Sequence, residues 1–430
     1  MINMQTQLFW GRQLFLTTPP AFTTQMRPAL KVGVLKVHCQ RCGQATWRWQ
    51  AALPRHQYYC PQCLNLGRMS TLGQLYHLPE PNQFSVPNQL LTWTGQLSPL
   101  QAQVAKRIKQ TMQSRQTHLV WAVTGAGKTE MLYPALVAAL ERGERVAIAS
   151  PRIDVVLELA PRLQAAFSQV EQVVLTGQTP QYRYCQLTLC TTHQLLRFYH
   201  AFDQLIVDEV DAFPYAGNQA LLYATKQAIK PTGACTYLTA TPGPVLQRQA
   251  RREHWQVSYL PRRFHGQPLP EIEFQKIDNW RVRPLAPHLQ QWLRQRLGRR
   301  ECLIFVPKIA DINPLLQSLR SLFPMVRQAG VYAADPERTT KVQLMRQHQL
   351  DWLVTTTILE RGVTLPGIDV LVLGADEGIF SIAALVQIAG RVGRSAQCPT
   401  GTVLMVGRHQ SATIQVAQNE IKMMNRRGGF

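Results

Sequence analysis

The sequence predicts an α/β protein: two parallel-sheet lobes preceded by a small four-cysteine metal-binding module. Three observations carry that expectation. From Ser98 onward, short apolar runs alternate with helical segments, as a parallel sheet with crossover helices requires. The 430 residues exceed what one ordinary core organises and point to two large domains plus a small one, and a hydrophobic content of 45% suffices to fill them. Ahead of this region, four cysteines recur as two CxxC pairs.

Those pairs, Cys39-Gln-Arg-Cys42 and Cys60-Pro-Gln-Cys63, form a CxxC-x17-CxxC array. Each CxxC bends the chain so that two sulfurs meet one ion, and the intervening residues can form a hairpin that brings the second pair across. Cys39, Cys42, Cys60 and Cys63 are therefore expected to hold a structural Zn²⁺, with His38 as a non-ligand. Two disulfides are the competing arrangement, disfavoured because the start of the chain lacks the basic region of a secretion signal. Cys185, Cys190, Cys235, Cys302 and Cys398 read as core or loop thiols. Trp47, Trp49, Tyr58 and Tyr59 interleave with Arg41, Arg48 and Arg55. Such a pattern either stacks bases and tracks phosphates or covers a mini-domain with little core of its own.

The polar, proline-containing residues 78–88 then read as linker. Ser98-Pro99 opens a helix, with Ser98 as cap and Pro99 in the first turn. Residues 261–270, again rich in proline, form a second break. The expected organisation is a basic N-terminal region with the zinc module over 1–77, a linker over 78–97, a first lobe over 98–260, a linker over 261–270 and a second lobe over 271–430.

The net charge of +21 points to a polyanionic partner, without choosing between DNA, RNA and an anionic membrane. Glu80 alone of the acidic residues precedes Glu130, whereas thirteen lysines and arginines do. No apolar run has the length of a bilayer span, so the expected location is cytoplasmic.

Three segments carry chemistry. Ala122-Val-Thr124-Gly125-Ala126-Gly127-Lys128-Thr129 has the pattern of a phosphate-binding loop, in which backbone N–H groups cradle phosphates, Lys128 reaches the β/γ oxygens and Thr129 holds Mg²⁺. Ala122 replaces the usual first glycine, a mild departure because the close approach falls at Gly125 and Gly127. The loop is expected between an apolar strand and the N-terminus of a helix over 130–140, where anions bind. Asp208-Glu209-Val210-Asp211 ends a second apolar strand, so that Asp208 faces the metal and Glu209 polarises the attacking water. Alone, the same residues would be a solvated acidic turn. In Gln387-Ile-Ala-Gly390-Arg391-Val-Gly393-Arg394, the two arginines are three apart and are expected on one helix face. From a second lobe, across a cleft, they can neutralise charge on a γ-phosphoryl group. Together the segments describe an NTP-driven motor on nucleic acid.

On these residues the chain resembles superfamily 2 helicases and, within them, the ComFA family of late-competence ATPases. The resemblance runs over nearly the whole length, knuckles included. Its more specific carriers are residues 150–159, 191–196, 208–214 and 355–364. It implies two RecA-like lobes; Gln101 at the adenine site; ATP and Mg²⁺ on Thr124 to Thr129 and Asp208; Gln387 beside Arg391 and Arg394 in catalysis; and Asp211, Thr239 and Thr241 in coupling. It implies nucleic-acid contacts at Arg152, Thr192, His193, Lys308 and Thr356, residue types that suit phosphates.

The resemblance further implies an ATPase that translocates on, or pulls, transforming single-stranded DNA at the inner face of the cell membrane. The implied partners are a membrane DNA channel, a ComFC-like phosphoribosyltransferase-type protein and a DprA-type DNA-processing protein. A primosomal-restart-type helicase is the alternative relative, but that family places its zinc cluster within the helicase region. DEAD-box RNA helicases fit less well, because their arginine segment begins with His where Gln387 stands. A non-catalytic, nucleotide-gated DNA clamp is the alternative in kind; turnover is favoured because Lys128, Asp208, Glu209, Arg391 and Arg394 are all present.

Overall fold

The computed structural model describes residues 4–177, 182–361 and 365–430. The chain divides into two compact units, Met1–Val120 with Thr129–Ser258, and Trp121–Lys128 with Tyr259–Phe430.

The N-terminal region begins with a short helix α1 (Met4–Gln7) and is otherwise built from small antiparallel pairings. Strands β1 (Leu14–Leu16) and β2 (Gln25–Pro28) flank a later strand over Gln74–His77. Between them, β3 (Leu30–Val32), β4 (Lys36–Cys39) and β5 (Ala45–Trp47) form a second sheet, and β6 (Ala52–Leu53) with β7 (Gln57–Tyr58) forms a hairpin. Gln74–His77 is β8. A module this small cannot bury enough apolar surface alone. Its cysteines, Ala51 and Met69 instead share one apolar cluster with Leu195, Tyr215 and Leu221 of the adjoining lobe. Gly43, at φ +70°, lies so close to Tyr223 that a Cβ there would fall 2.5 Å from the ring. Arg27 stacks over Tyr199 at 3.8 Å and donates to Gln227 Oε1 at 2.9 Å.

Residues 79–98 form neither helix nor strand, yet they are anchored. Glu80 lies 2.6 Å from Arg145 with both side chains fully buried, and Arg145 also donates to Trp10 O and to the Tyr182 hydroxyl. Asn82 bonds Asp203 and accepts from Lys230, each at 2.9 Å. This segment is a strap held by buried charge.

The first lobe follows. Helices α2 (Pro99–Gln113), α3 (Tyr133–Glu141), α4 (Ile153–Ala166), α5 (Gln219–Ala228) and α6 (Gly243–Arg252) alternate with seven strands. These are β9 (His118–Ala122), β10 (Val146–Ser150), β11 (Gln172–Leu175), β12 (Leu187–Thr191), β13 (Phe202–Val207), β14 (Ile229–Thr239) and β15 (Gln256–Leu260). The sheet order is β11-β12-β10-β13-β14-β9-β15, and the pairs from β11 to β14 are parallel. Every residue of β10, β12 and β13 is buried, as expected of strands covered on both faces. The cap of α2 is a full capping box: Ser98 accepts from Gln101 N, and the Gln101 side chain accepts from Ser98 N.

The second unit holds a wholly parallel six-stranded sheet. Its strands are β16 (Ile272–Lys276), β17 (Glu301–Phe305), β18 (Gln328–Val331), β19 (Trp352–Thr355), β20 (Ile368–Leu373) and β21 (Val403–Gly407), in the order β16-β21-β20-β17-β19-β18. Helices α7 (Pro287–Arg294), α8 (Ile312–Leu322), α9 (Arg338–Arg346), α10 (Ile382–Ala389) and α11 (Ala412–Arg427) accompany it. Leu289, Leu315, Leu319, Ile304 and Trp352 belong to its core. The protein is thus α/β, with two parallel-sheet lobes and an N-terminal four-cysteine cluster. Among the described residues, no helix is long and apolar enough to cross a membrane.

Candidate functional site

The cysteine cluster is assembled by the small strands. Cys39 ends β4, Cys42 sits in the following turn, Cys60 follows β7 and Cys63 lies in the 3₁₀ turn Pro61–Leu66. All four are buried, with sulfurs within 4.8 Å of one another. Cys39 and Cys63 are separated by 3.8 Å, Cys42 and Cys60 by 3.6 Å. Disulfide sulfurs would lie at about 2.05 Å; a tetrahedron with Zn–S near 2.3 Å puts them about 3.8 Å apart. The spacing fits the metal. Arg41, which the sequence groups with Arg48 and Arg55 among the aromatics, is buried. Its Nε donates to Cys63 Sγ at 3.4 Å and its Nη2 to Cys63 O at 3.1 Å, so a cation faces the four-sulfur cluster. His38 is exposed and outside the cluster. Of the interleaved aromatics, Tyr58 is buried and receives Arg48 Nε at 2.8 Å, whereas Trp49 is 75% exposed. The remaining cysteines, Cys185, Cys190, Cys235 and Cys302, are buried and Cys398 is half-buried. Burial pushes the thiols of Cys190 and Cys235 up to about 12, leaving them inert.

The phosphate-loop segment belongs to the second unit. Gly125 (φ +76°) and Gly127 (φ +70°) both occupy left-handed backbone, which glycine adopts without steric cost, and Ala126 N between them donates to Val123 O at 3.3 Å. Gly125 O accepts from Phe264 N at 2.9 Å, and the Thr124 hydroxyl donates to Gly390 O at 3.4 Å. A Cβ on Gly390 would fall 2.1 Å from Thr124 Oγ1, which explains why only glycine fits there. The expected helix after the loop differs in one respect. A 3₁₀ turn over Glu130–Leu132 comes first, because Pro134 lacks an N–H and fits only the first turn of α3, which begins at Tyr133.

In the first unit, Asp208 follows β13, is buried, and accepts from Glu209 N at 2.8 Å. Glu209 takes φ +55°. A non-glycine residue there costs about 1–2 kcal/mol, and such strain collects at functional sites. Asp211 accepts the Thr239 hydroxyl at 2.8 Å and also the Thr241 hydroxyl, while Thr241 N donates to Thr239 Oγ1 at 2.9 Å. The end of β14 is thereby tied to the acidic turn. Gln101 is buried in the capping box and Thr129 is buried after the loop.

The arginine segment corrects the helical expectation. Helix α10 holds Gln387, which is buried, but ends at Ala389 with Gly390 as cap. Arg391 and Arg394 lie in the turn that follows, since Gly393 at φ +68° breaks helical geometry and a Cβ on it would meet Pro399 O at 2.2 Å. Arg391 is buried, its Nε donating to Glu360 O at 3.0 Å; Arg394 Nε donates to Gly390 O at 3.0 Å. Two residues from the expected linker shape this turn. Arg263 Nη1 donates to Val392 O at 2.6 Å and Gly393 O at 2.7 Å, and His265 Nε2 lies 2.9 Å from Gly393 O. Burial, with Arg394 nearby, lowers the Arg263 guanidinium to about 9. An arginine in a proline-rich break gives no pattern that distinguishes it from a surface charge, so sequence reasoning missed it.

The five residues expected along nucleic acid fall on both units. In the first, Arg152 caps α4 and pairs with both carboxylate oxygens of Asp154 at 3.1 Å. His193 is half-buried, and burial lowers its pKa, so it is a neutral hydrogen-bonding group. Thr192 is fully buried at the start of a 3₁₀ turn, so its hydroxyl is not offered to solvent and the expected contact is not supported. In the second unit, Lys308 is exposed just after β17, and Thr356 is half-buried just after β19. Gly362, Val363 and Thr364 of the 355–364 motif lie outside the described residues.

Residues 98–248 match the DEAD/DEAH box helicase family and residues 286–396 the helicase conserved C-terminal domain. The chain is 39% identical over 408 residues to the competence protein ComFA of Bacillus subtilis (strain 168), covering 92% of this chain and 87% of that protein. It is 41% identical over 412 residues to competence protein ComFA of Streptococcus pneumoniae (strain ATCC BAA-255 / R6), covering 94% of each. In fold it is similar to S. cerevisiae Dbp5 bound to RNA and ADP BeF3, with a TM-score of 0.55 at 14% identity, over 76% of this chain and 91% of that one.

Proposed function

Because the chain belongs to the ComFA family of competence proteins and carries the ATPase domains of superfamily 2 helicases, we propose that it is a single-stranded-DNA-dependent ATPase that translocates on, or pulls, transforming DNA during uptake. The observation that carries the reading is Glu209, held in left-handed backbone beside buried Asp208 at the end of β13. Strain is kept there for a carboxylate that must stand clear of its strand.

In this reading the amides of Gly125, Ala126 and Gly127 and the ammonium of Lys128 bind the phosphates. Thr129 and Asp208 hold Mg²⁺, and Gln101 meets the adenine. Glu209 orients and deprotonates the attacking water. Gln387, Arg391 and Arg394 stabilise charge on the transferred phosphoryl group. Asp211, Thr239 and Thr241 relay the state of the acidic turn to β14. Arg152, His193, Lys308 and Thr356 alternate their grip on DNA phosphates as nucleotide is bound and hydrolysed. Cys39, Cys42, Cys60 and Cys63 hold Zn²⁺, which supplies structure rather than chemistry. The partners that accompany this reading are a membrane DNA channel, a ComFC-like protein and a DprA-type protein, reached from the cytoplasmic side of the membrane.

Steady-state ATP hydrolysis with and without single-stranded DNA tests the proposal. Turnover should rise on adding DNA, and Glu209→Gln should abolish the rise. Hydrolysis indifferent to DNA, or stimulated more by RNA of the same sequence, contradicts it.

A further inference from the structure

A cavity in the second unit lies away from every residue assigned above. It has a volume of about 1160 Å³. Its walls come from the end of α7 and the loop before β17, the end of α8, and the start of β19. Glu301 and Trp352 are the first residues of two adjacent parallel strands, whereas Lys308 and Thr356 follow the opposite ends of the same strands. Ligands of open α/β sheets collect at the carboxyl ends. The cavity sits at the amino ends, so it needs its own explanation.

Its charge is one-sided. The acidic residues already have partners: Asp351 is bridged by Arg327 at 2.7 Å, and Glu301 lies 2.7 Å from His348 Nδ1. Arg296 is committed to Asp369 at 2.8 Å and Thr402 at 2.7 Å. Arg294, Arg299 and Arg300 remain. Arg294 touches Gln290 Oε1 and Arg300 the carbonyl of Gly367; neither contact neutralises charge. Beside them stand aliphatic surfaces, including Met325 at 92% and Leu297 at 39% exposure. The aromatic lining residues Trp352 and Phe323 are buried and offer no face for a base to stack on.

We propose that this cavity is a docking site for an acidic protein segment bearing an aliphatic anchor. Three forked guanidinium groups match carboxylates bidentately, and a mobile methionine adapts to an apolar side chain. Single-stranded nucleic acid held by base stacking would need exposed rings, and the volume exceeds the roughly 300–1,000 Å³ of small-molecule pockets.

The test is fluorescence anisotropy of the full chain with a labelled Asp-Glu-Leu-Asp-Glu-Leu peptide. The same peptide with serine for leucine, and labelled oligothymidylate, serve as comparisons. The combined variant Arg294→Glu, Arg299→Glu, Arg300→Glu should weaken binding of the leucine peptide at least about tenfold and leave ATP hydrolysis unchanged. Met325→Ser, on an almost fully exposed residue, removes the apolar contact without adding charge and should weaken the leucine peptide and spare the serine one, and it serves alone if the combined variant misfolds. Equal binding of both peptides, or of the leucine peptide to wild type and variants, overturns the proposal. Loss of oligothymidylate binding with peptide binding retained overturns it in favour of a nucleic-acid surface.

Discussion

Arg263 Nη1 lies 2.6 Å from the carbonyl oxygen of Val392, so a buried cation from the chain between the two sheets holds the turn that carries Arg391 and Arg394. Arg263→Ala would leave the carbonyls of Val392 and Gly393 without this donor. The expected result is a fall in kcat of about tenfold or more with little change in the KM for ATP, because positioning rather than binding is lost. Arg263→Lys, which keeps one cationic nitrogen but loses the second, Nη2, that donates to Gly390 O, should recover only part. Unchanged kcat in Arg263→Ala would separate this contact from the chemistry.

The phosphate loop and the acidic turn should fail differently. Lys128→Ala is expected to lose both nucleotide affinity and turnover. Glu209→Gln is expected to bind ATP-Mg²⁺ normally and hydrolyse it very slowly. Arg394→Ala should bind ATP but slow hydrolysis by about 10³-fold if it acts as an arginine finger. Equilibrium binding of a fluorescent ATP analogue, alongside turnover, distinguishes the three; near-normal turnover in Glu209→Gln would remove its role with water.

Replacing Cys60 by serine should release zinc, measured by elemental analysis of freshly purified, reduced protein. A structural site contributes its binding energy to folding. Because the cysteines share a buried cluster with Tyr215 and Leu221, loss of metal should lower the melting temperature of the first lobe as well as the module. Wild-type protein without zinc, or with paired disulfides by mass spectrometry, would contradict the assignment.

His118 is fully buried, with Nδ1 3.0 Å from Thr111 Oγ1 and Nε2 2.9 Å from Ser258 Oγ. Burial, with a smaller contribution from Arg107, lowers its pKa from 6.5 to about 4. The unfolded chain therefore takes up a proton first as pH falls. The contribution of His118 is complete above pH 6.5 and is lost as pH falls toward 4, by about 3 kcal/mol in all. His118→Gln should be less stable than wild type near neutral pH, with the gap narrowing at about pH 5. A gap independent of pH in thermal melts would show that His118 does not titrate between the two states.

The fold was largely legible because fully buried parallel strands announce themselves as apolar runs: the run over Phe202–Val207 is β13, with every residue buried. The cysteine spacing likewise sufficed, since CxxC geometry is local. What escaped was long-range or conformational. Glu80 read as part of a linker because its partner, Arg145, lies 65 residues away. Arg391 and Arg394 read as helical from their spacing, but the positive φ of Gly393 ends that geometry. Thr192 suits a phosphate by type, yet burial withdraws its hydroxyl, and burial is set by tertiary packing.

The central claim is that hydrolysis is tied to movement along single strands. Steady-state ATPase activity measured against single-stranded DNA of increasing length tests it most directly. Backbone contacts predict activity that rises with length to a plateau, ignores base sequence and falls steeply with salt, with blunt duplex a poor stimulant. Equal stimulation by short and long strands, or strong stimulation by blunt duplex, would contradict the account.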